Sequence, residues 1–277
     1  MQKKIILLTG GSAGIGKSTA EFLANQGHTV YSTSRTTGET PDSTNLKNKT
    51  DAGIIIPIKA DVNNEKELEL TVEKILAEQQ KLNVVICNAG NGIAGAIEDT
   101  SIDEARYQFE TCFFGVLKTV KATLPVFRAQ GFGKIIVVSS VAGVVPIPFQ
   151  TLYSSVKAAL ITFTQALSLE VKSFGVQCCA ILPGDTKTGF TASRKYAENA
   201  LLETSPYLEK MKSSVGRMER DEQNGMSPLV IAKSIARQVN KKRTNLIVTP
   251  AFQYKLINWL FVRLPARFRM WIIGLLY

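Results

Sequence analysis

The string Thr9-Gly10-Gly11-Ser12-Ala13-Gly14-Ile15-Gly16 separates a short apolar run, residues 4–8, from a segment of helical periodicity, residues 16–26. A strand that must turn at once into a helix needs backbone freedom at the turn. Glycines at 10, 14 and 16 supply it and leave no side chains over the first turn of the helix. That turn carries unpaired N–H groups and the positive end of the helix dipole, so the loop with Ser12 and Ile15 reads as a cradle for a pyrophosphate.

The rest of the chain repeats the alternation. Apolar runs at 29–34, 53–59, 84–87, 134–139, 176–182 and 246–249 lack strict period-two alternation, as strands buried on both faces should. Helical periodicity fills 65–80, 102–130, 152–174 and 228–239, the last opened by Ser227 and Pro228. This pattern predicts a single α/β domain with a doubly wound parallel sheet of about seven strands, spanning about residues 1–250, and a ligand crevice at the carboxyl ends of the strands. Residues 190–226 are polar and break the rhythm, and they are expected to form a helical, mobile flap over the substrate.

The second strand ends at Ser34 and Arg35, where an NAD-selective site would place a carboxylate. No acid stands there. Ser34 and the Arg35 guanidinium suit a 2′-phosphate instead, so NADP(H) is expected, with NAD(H) as the alternative.

Tyr153 and Lys157 lie four residues apart on a helix and therefore on one face, and Ser140 closes the strand before them. A phenol with its ordinary pKa near ~10 shuttles protons poorly at neutral pH. The neighbouring ammonium is expected to favour the phenolate, and Ser140 to hydrogen-bond the substrate oxygen.

These motifs together resemble the classical short-chain dehydrogenase/reductase family, and more loosely its steroid and retinol dehydrogenase branch. The resemblance spans about residues 3–190 and the strand near 246. It implies a Rossmann-type fold and a hydride moved between a nicotinamide and a carbonyl or alcohol carbon, with Ser140, Tyr153 and Lys157 as catalytic residues. It also implies that Asp61 and Val62 meet the adenine, that Asn88, Ala89 and Gly90 support the central strand beside the cofactor, and that Lys157 binds the nicotinamide ribose next to Tyr153. Pro183, Gly184, Thr186 and Thr188 would hold the carboxamide. Cys112 stands where family members carry an asparagine that anchors a water-mediated proton relay. Pairing into a homodimer or homotetramer through the helices at 102–130 and 152–174 is likewise expected from the resemblance alone. A cofactor-sensing binding protein without turnover is the competing function, favoured only by Cys112.

The apolar string Val144-Val145-Pro146-Ile147-Pro148-Phe149, between the serine and the tyrosine, should line the substrate side and suit a steroid-, retinoid- or lipid-like compound. The four cysteines, Cys87, Cys112, Cys178 and Cys179, have neither zinc-ligand nor disulfide spacing, and no metal is expected. A net charge of +10 comes from scattered residues, which argues against a nucleic-acid partner. The apolar run near the start is too short for a signal sequence, so a cytoplasmic chain is expected. Residues 252–277 hold seven aromatic and four basic residues, no acid, and Pro265 part-way. They predict two amphipathic helices rather than a bilayer span, packed over the cleft or against a second subunit, with peripheral contact at a membrane surface as the alternative.

Overall fold

The computed structural model describes residues 2–36 and 53–277. Seven parallel strands form its sheet: β1 (Ile5–Thr9), β2 (Thr29–Ser34), β3 (Ile54–Lys59), β4 (Val84–Cys87), β6 (Gly133–Val138), β7 (Val176–Ile181) and β9 (Ile247–Val248). Their order is β3-β2-β1-β4-β6-β7-β9. The order reverses between β1 and β4, which opens a crevice at the carboxyl ends of those two strands.

Successive strand residues feed opposite faces, which is why the runs read as continuously apolar. Ile5 and Leu7 of β1, Val85 of β4 and Ile135 and Val137 of β6 join one core. Helices α2 (Glu65–Gln79), α4 (Gly115–Gln130) and α5 (Thr151–Glu170) complete it with Ile75, Phe127 and Leu160. Ile6, Leu8, Ile86 and Ile136 join the other core, closed by Leu23 of α1 (Gly14–Ala24) and Ile235 of α8 (Pro228–Asn240). The result is one layered α/β unit with helices on both faces of a doubly wound sheet, the arrangement expected from the alternation.

Local signals set the helix ends. Asn64 accepts hydrogen bonds from the Lys66 and Glu67 N–H groups at the start of α2. Ser227 caps α8 through the Leu229 N–H, ahead of Pro228 at the first helical position.

Two helix expectations need correction. The segment 102–130 is not one helix: α3 (Ile102–Phe109) passes through a π-helical turn, Glu110–Phe114, before α4 begins. Side-chain periodicity hardly registers one such turn, because the apolar face is re-aimed rather than interrupted. The segment 152–174 ends its α-helix at Glu170 and finishes as a 3-10 turn before Gly175, whose φ of 70° terminates it.

The segment 190–226 contains α6 (Phe190–Ser193), β8 (Lys195–Tyr196), a 3-10 turn at Glu198–Leu201 and α7 (Leu208–Gln223). It has a small core of its own, in which Met211, Val215 and Met218 meet Ile93 and Ala94 of a short strand, β5 (Ile93–Ala94), that pairs with β8. Neither short strand is visible in the sequence, since two residues carry no period. Beyond β9, α9 (Phe252–Phe261) and α10 (Ala266–Leu276) divide at Pro265, as the sequence predicts. None of the helices among the described residues is long and apolar enough to cross a membrane.

Candidate active site

A cleft of about 630 Å³ lies at the carboxyl ends of β1, β2, β4, β6 and β7. Every sequence-predicted site residue lines it, from Gly10 through Thr188.

At one end, Gly10 and Gly14 adopt φ of 68° and 52°, values that favour glycine. A Cβ on Gly10 would lie 2.7 Å from Ala89 Cα, and one on Gly16 would collide with the Gly10 carbonyl. Asn88 ties the central strand to this loop, its Nδ2 donating to the Thr9 and Gly10 carbonyls at 3.1 and 2.9 Å. Its own N–H donates to Thr9 Oγ1 at 3.0 Å. Thr188 packs over Gly14, with its Cβ 3.2 Å from where a Gly14 Cβ would stand. Three features fit a dinucleotide here. The loop keeps its close packing on Ala89 and on its own carbonyl only because Gly10 and Gly16 carry no Cβ, α1 begins without a side-chain cap on its N–H groups, and the buried Thr33 Oγ1 at the cleft has no hydrogen-bond partner. Asp61 accepts the Asn63 N–H at 2.9 Å, and a hydrogen bond from the Asp61 N–H to Glu67 at 2.7 Å holds this loop at the cleft.

At the other end, Tyr153 and Lys157 share a face of α5, and the Lys157 ammonium lies 5.5 Å from the Tyr153 ring centroid. Ser140 caps a 3-10 turn by accepting the Ala142 N–H at 3.0 Å, and it lines the same cleft as the Tyr153 phenol. Lys157 Nζ donates to the Val138 carbonyl at 3.1 Å. Ser139 Oγ donates to the Lys157 carbonyl at 2.7 Å, fixing α5 against the end of β6.

The electrostatics differ from the expectation for the phenol. Burial pushes the Tyr153 phenol above its ordinary value, and the nearby Cys112 sulfur acts the same way, while the neighbouring Ser140 hydroxyl opposes them. Burial also lowers the Lys157 ammonium. In a poorly hydrated site the cost of forming any charge outweighs attraction to a cation that is itself losing its solvation. The phenol therefore holds its proton at neutral pH, as a proton donor must.

Cys112 sits in the π-helical turn with its sulfur fully enclosed. It accepts the Asn91 N–H at 3.3 Å and a donation from Gln108 Nε2 at 3.2 Å. A Cβ on Gly90 would stand 3.5 Å from that sulfur and 3.9 Å from Lys157 Nζ, so only Gly90 separates thiol from ammonium.

Sequence reasoning missed several wall residues. Phe190 packs its ring 5.8 Å from that of Tyr153 and lies under the buried Arg194, whose guanidinium is 5.6 Å from the Phe190 ring. Arg194 pairs with Glu222 at 2.5 Å, and Thr191 donates to the same carboxylate at 2.6 Å, which ties the start of the 190–226 segment to the end of α7. Tyr254, Ile257, Ile273, Leu276 and Tyr277 close the cleft from the C-terminal helices, one of the packings expected from the sequence. Of the apolar string after Ser140, Val145 and Ile147 face the cleft, while Phe149 turns to the small core of the 190–226 segment. Residue type gave no signal for Phe190 and Arg194, because what selects them is the path of a distant segment.

The family model for short chain dehydrogenases matches residues 4–199. The chain belongs to the short-chain dehydrogenase family. It is an oxidoreductase of that family, acting on a CH–OH or C=O group with a nicotinamide cofactor. A 3-ketodihydrosphingosine reductase of Bacteroides thetaiotaomicron is 39% identical over 242 residues, covering 87% of this chain and 86% of that protein. A solved short-chain dehydrogenase of Streptomyces avermitilis superimposes with a TM-score of 0.79 at 26% identity, over 94% of this chain and 93% of that one. A short-chain dehydrogenase/reductase of Burkholderia phymatum, solved with NAD, gives a TM-score of 0.77 at 21% identity over 89% of each chain.

Proposed function

We propose that the chain reduces the carbonyl of an apolar, lipid-like compound with NADPH, using Tyr153 as proton donor. The observation that carries this reading is the phenol itself, one turn from Lys157 and open to the same cleft as Ser140 and the glycine loop. The cofactor supplies the hydride. Ser140 and the phenol orient the substrate oxygen, and the phenol delivers the proton as negative charge develops there. Lys157, held by the Val138 carbonyl, keeps the phenol in place and reaches toward the ribose side. Asp61 and Val62 border the adenine end, and Pro183, Gly184, Thr186 and Thr188 border the carboxamide end. Ser12 and Ile15 complete the pyrophosphate loop.

An apolar substrate follows from the wall, to which Val145, Ile147, Phe190, Ile257, Ile273 and Leu276 contribute aliphatic and aromatic side chains. A steroid, a retinoid and a long-chain ketone all meet that requirement. The name of the Bacteroides relative makes a long-chain 3-ketosphingoid base the first compound to assay. The catalytic body comprises about residues 1–250 and acts as a homodimer or homotetramer in the cytoplasm, with residues 251–277 an appended tail that makes peripheral contact with a membrane. Turnover of NADPH, and not of NADH, with a panel of aldehydes and ketones that includes this base tests the reading, and absence of turnover with every member sinks it.

Preference for NADPH rests on Arg35, which lines the cleft at the end of β2, where no carboxylate stands among the described residues 32–36. Arg35→Ala is expected to weaken NADPH by about ten-fold, the scale of one charge-assisted contact to phosphate, and to leave NADH unchanged. Titration of both cofactors by intrinsic fluorescence measures this, and equal weakening of the two would remove Arg35 from the argument.

The direction of the Tyr153 shift sets the pH profile. A raised phenol keeps its proton through the neutral range, so kcat/KM for reduction stays flat there and its alkaline limb lies at or above the ordinary phenol value of ~10. An alkaline limb near neutrality in initial-rate measurements would contradict a buried, neutral donor.

A further inference from the structure

The α9–α10 hairpin has two unlike faces. Its inner face walls the cleft, and two side-chain hydrogen bonds hold it there: Tyr254 to Asp185 at 2.8 Å and Asn258 to Thr249 at 3.1 Å. Phe261 and Ile273 are buried beneath it. Its outer face carries Phe252, Trp259, Val262, Trp271 and Leu275, which are 78%, 52%, 56%, 59% and 64% exposed. Among the described residues, eleven of the 25 exposed large apolar side chains fall in this hairpin, under a tenth of the chain. Single exposed apolar residues are ordinary, but a cluster of this kind on a water-facing surface marks a contact.

Charge decides what the contact is. Lys255, Arg263 and Arg267 are exposed on the hairpin, Arg269 is half-buried, and no acid occurs between residues 252 and 277. A second copy docking through the same face about a two-fold axis would set these cations against themselves. An anionic lipid surface would neutralise them. The Arg263 guanidinium lies 4.0 Å from the Trp259 ring and donates to the Trp259 carbonyl at 2.9 Å. Phe268 stacks on Trp271 at 5.6 Å. Aromatic rings beside guanidinium groups suit the boundary between headgroups and acyl chains.

We propose that the α9–α10 hairpin is a two-faced lid which docks its outer face on an anionic bilayer, so that an apolar carbonyl substrate passes directly between the acyl region and the cleft walled by its inner face. The idea rests on the reading of the cleft as a carbonyl-reducing site. It explains why residues that close the site belong to the segment with the largest exposed apolar surface: a lipid-borne substrate need not cross water.

The full chain is mixed with phosphatidylcholine vesicles containing about a third phosphatidylglycerol, and separately with phosphatidylcholine vesicles alone. Sedimentation is read together with NADPH-dependent reduction of a long-chain ketone dissolved in the vesicles and of cyclohexanone in water. The wild-type chain is expected to sediment with the anionic vesicles and to lose binding in high salt. Trp259→Glu combined with Leu275→Glu, both outside the cleft wall, should lower sedimentation and turnover of the vesicle-borne ketone by about ten-fold or more. Turnover of cyclohexanone should stay within about two-fold of wild type, which also shows that the variant folds. Failure of the wild type to sediment, or unchanged use of the vesicle-borne ketone by the variant, overturns the proposal. A wild-type oligomer that the variant converts to monomer without any vesicle binding overturns it in favour of a subunit contact. Absence of turnover with both ketones, with vesicle binding intact, sinks the carbonyl-reducing reading instead.

Discussion

Tyr153→Phe is expected to lower NADPH-dependent ketone reduction by about 10²–10⁴-fold while leaving the affinity for NADPH within about two-fold of wild type. The substitution removes one oxygen and keeps the ring that packs 5.8 Å from Phe190. The neighbouring Ser140 hydroxyl keeps the Ala142 N–H and lies 3.5 Å from the Pro183 carbonyl. The fold therefore has little to lose, and the loss falls on proton delivery. Steady-state rates beside a cofactor titration separate the two quantities. Unchanged turnover would show that another group delivers the proton and would return the chain to the class of cofactor-binding proteins.

Lys157→Met is expected to move activity and stability in opposite directions. Turnover should fall by about 10²–10⁴-fold because the phenol loses its neighbour. Stability at neutral pH should rise by about 2–4 °C in Tm, about 1 kcal/mol for a chain of this size. The sign follows from burial. The Lys157 side chain is enclosed, with one carbonyl partner in Val138, and its ammonium is lowered by desolvation. A group whose folded value is depressed contributes stability above its unfolded value and loses it as pH falls toward the folded one, so at neutral pH the native state carries the cost of taking the lysine amine out of water. That cost is several kcal/mol before compensation, whereas the hydrogen bond lost to the Val138 carbonyl contributes about 1 kcal/mol. Methionine has nearly the length of the lysine stem and fills the space without charge. A calorimetric scan that shows destabilisation would mean that the ammonium is better solvated than its surroundings suggest.

Cys112 shows how a single departure from a family pattern is absorbed. The sulfur accepts the Asn91 N–H and a Gln108 amide, so the main chain beside Gly90 stays anchored without an asparagine at that position. This bears on the only sequence feature that favoured a silent binding protein.

How much was legible depended on the range over which each residue acts. Ser227 and Pro228, the glycine loop and the apolar strands act through their own backbone or nearest neighbours, so their roles survive in one dimension. The four-residue step from Tyr153 to Lys157 is also local, and it placed phenol and ammonium on one helix face correctly. Their protonation was read wrongly, because a pKa in an enclosed site is governed by how many distant atoms exclude water, and spacing contains no such information. The π-helical turn at Glu110–Phe114 escaped for a related reason: it preserves composition and nearly preserves period.

By itself, then, the sequence determined the doubly wound sheet, the open cradle at Gly10–Gly16 and the grouping of Ser140, Tyr153 and Lys157, since each follows from steric or helical rules that hold within a few residues. Only the tertiary structure decided that Phe190 packs against the phenol while Arg194 and Glu222 join the two ends of the 190–226 segment, and that Tyr254, Ile273 and Tyr277 return from the chain's far end to close the cleft. Those contacts join positions separated by up to a hundred residues and more, and their free energy comes from surfaces that exist only once the sheet has brought both partners to the same edge.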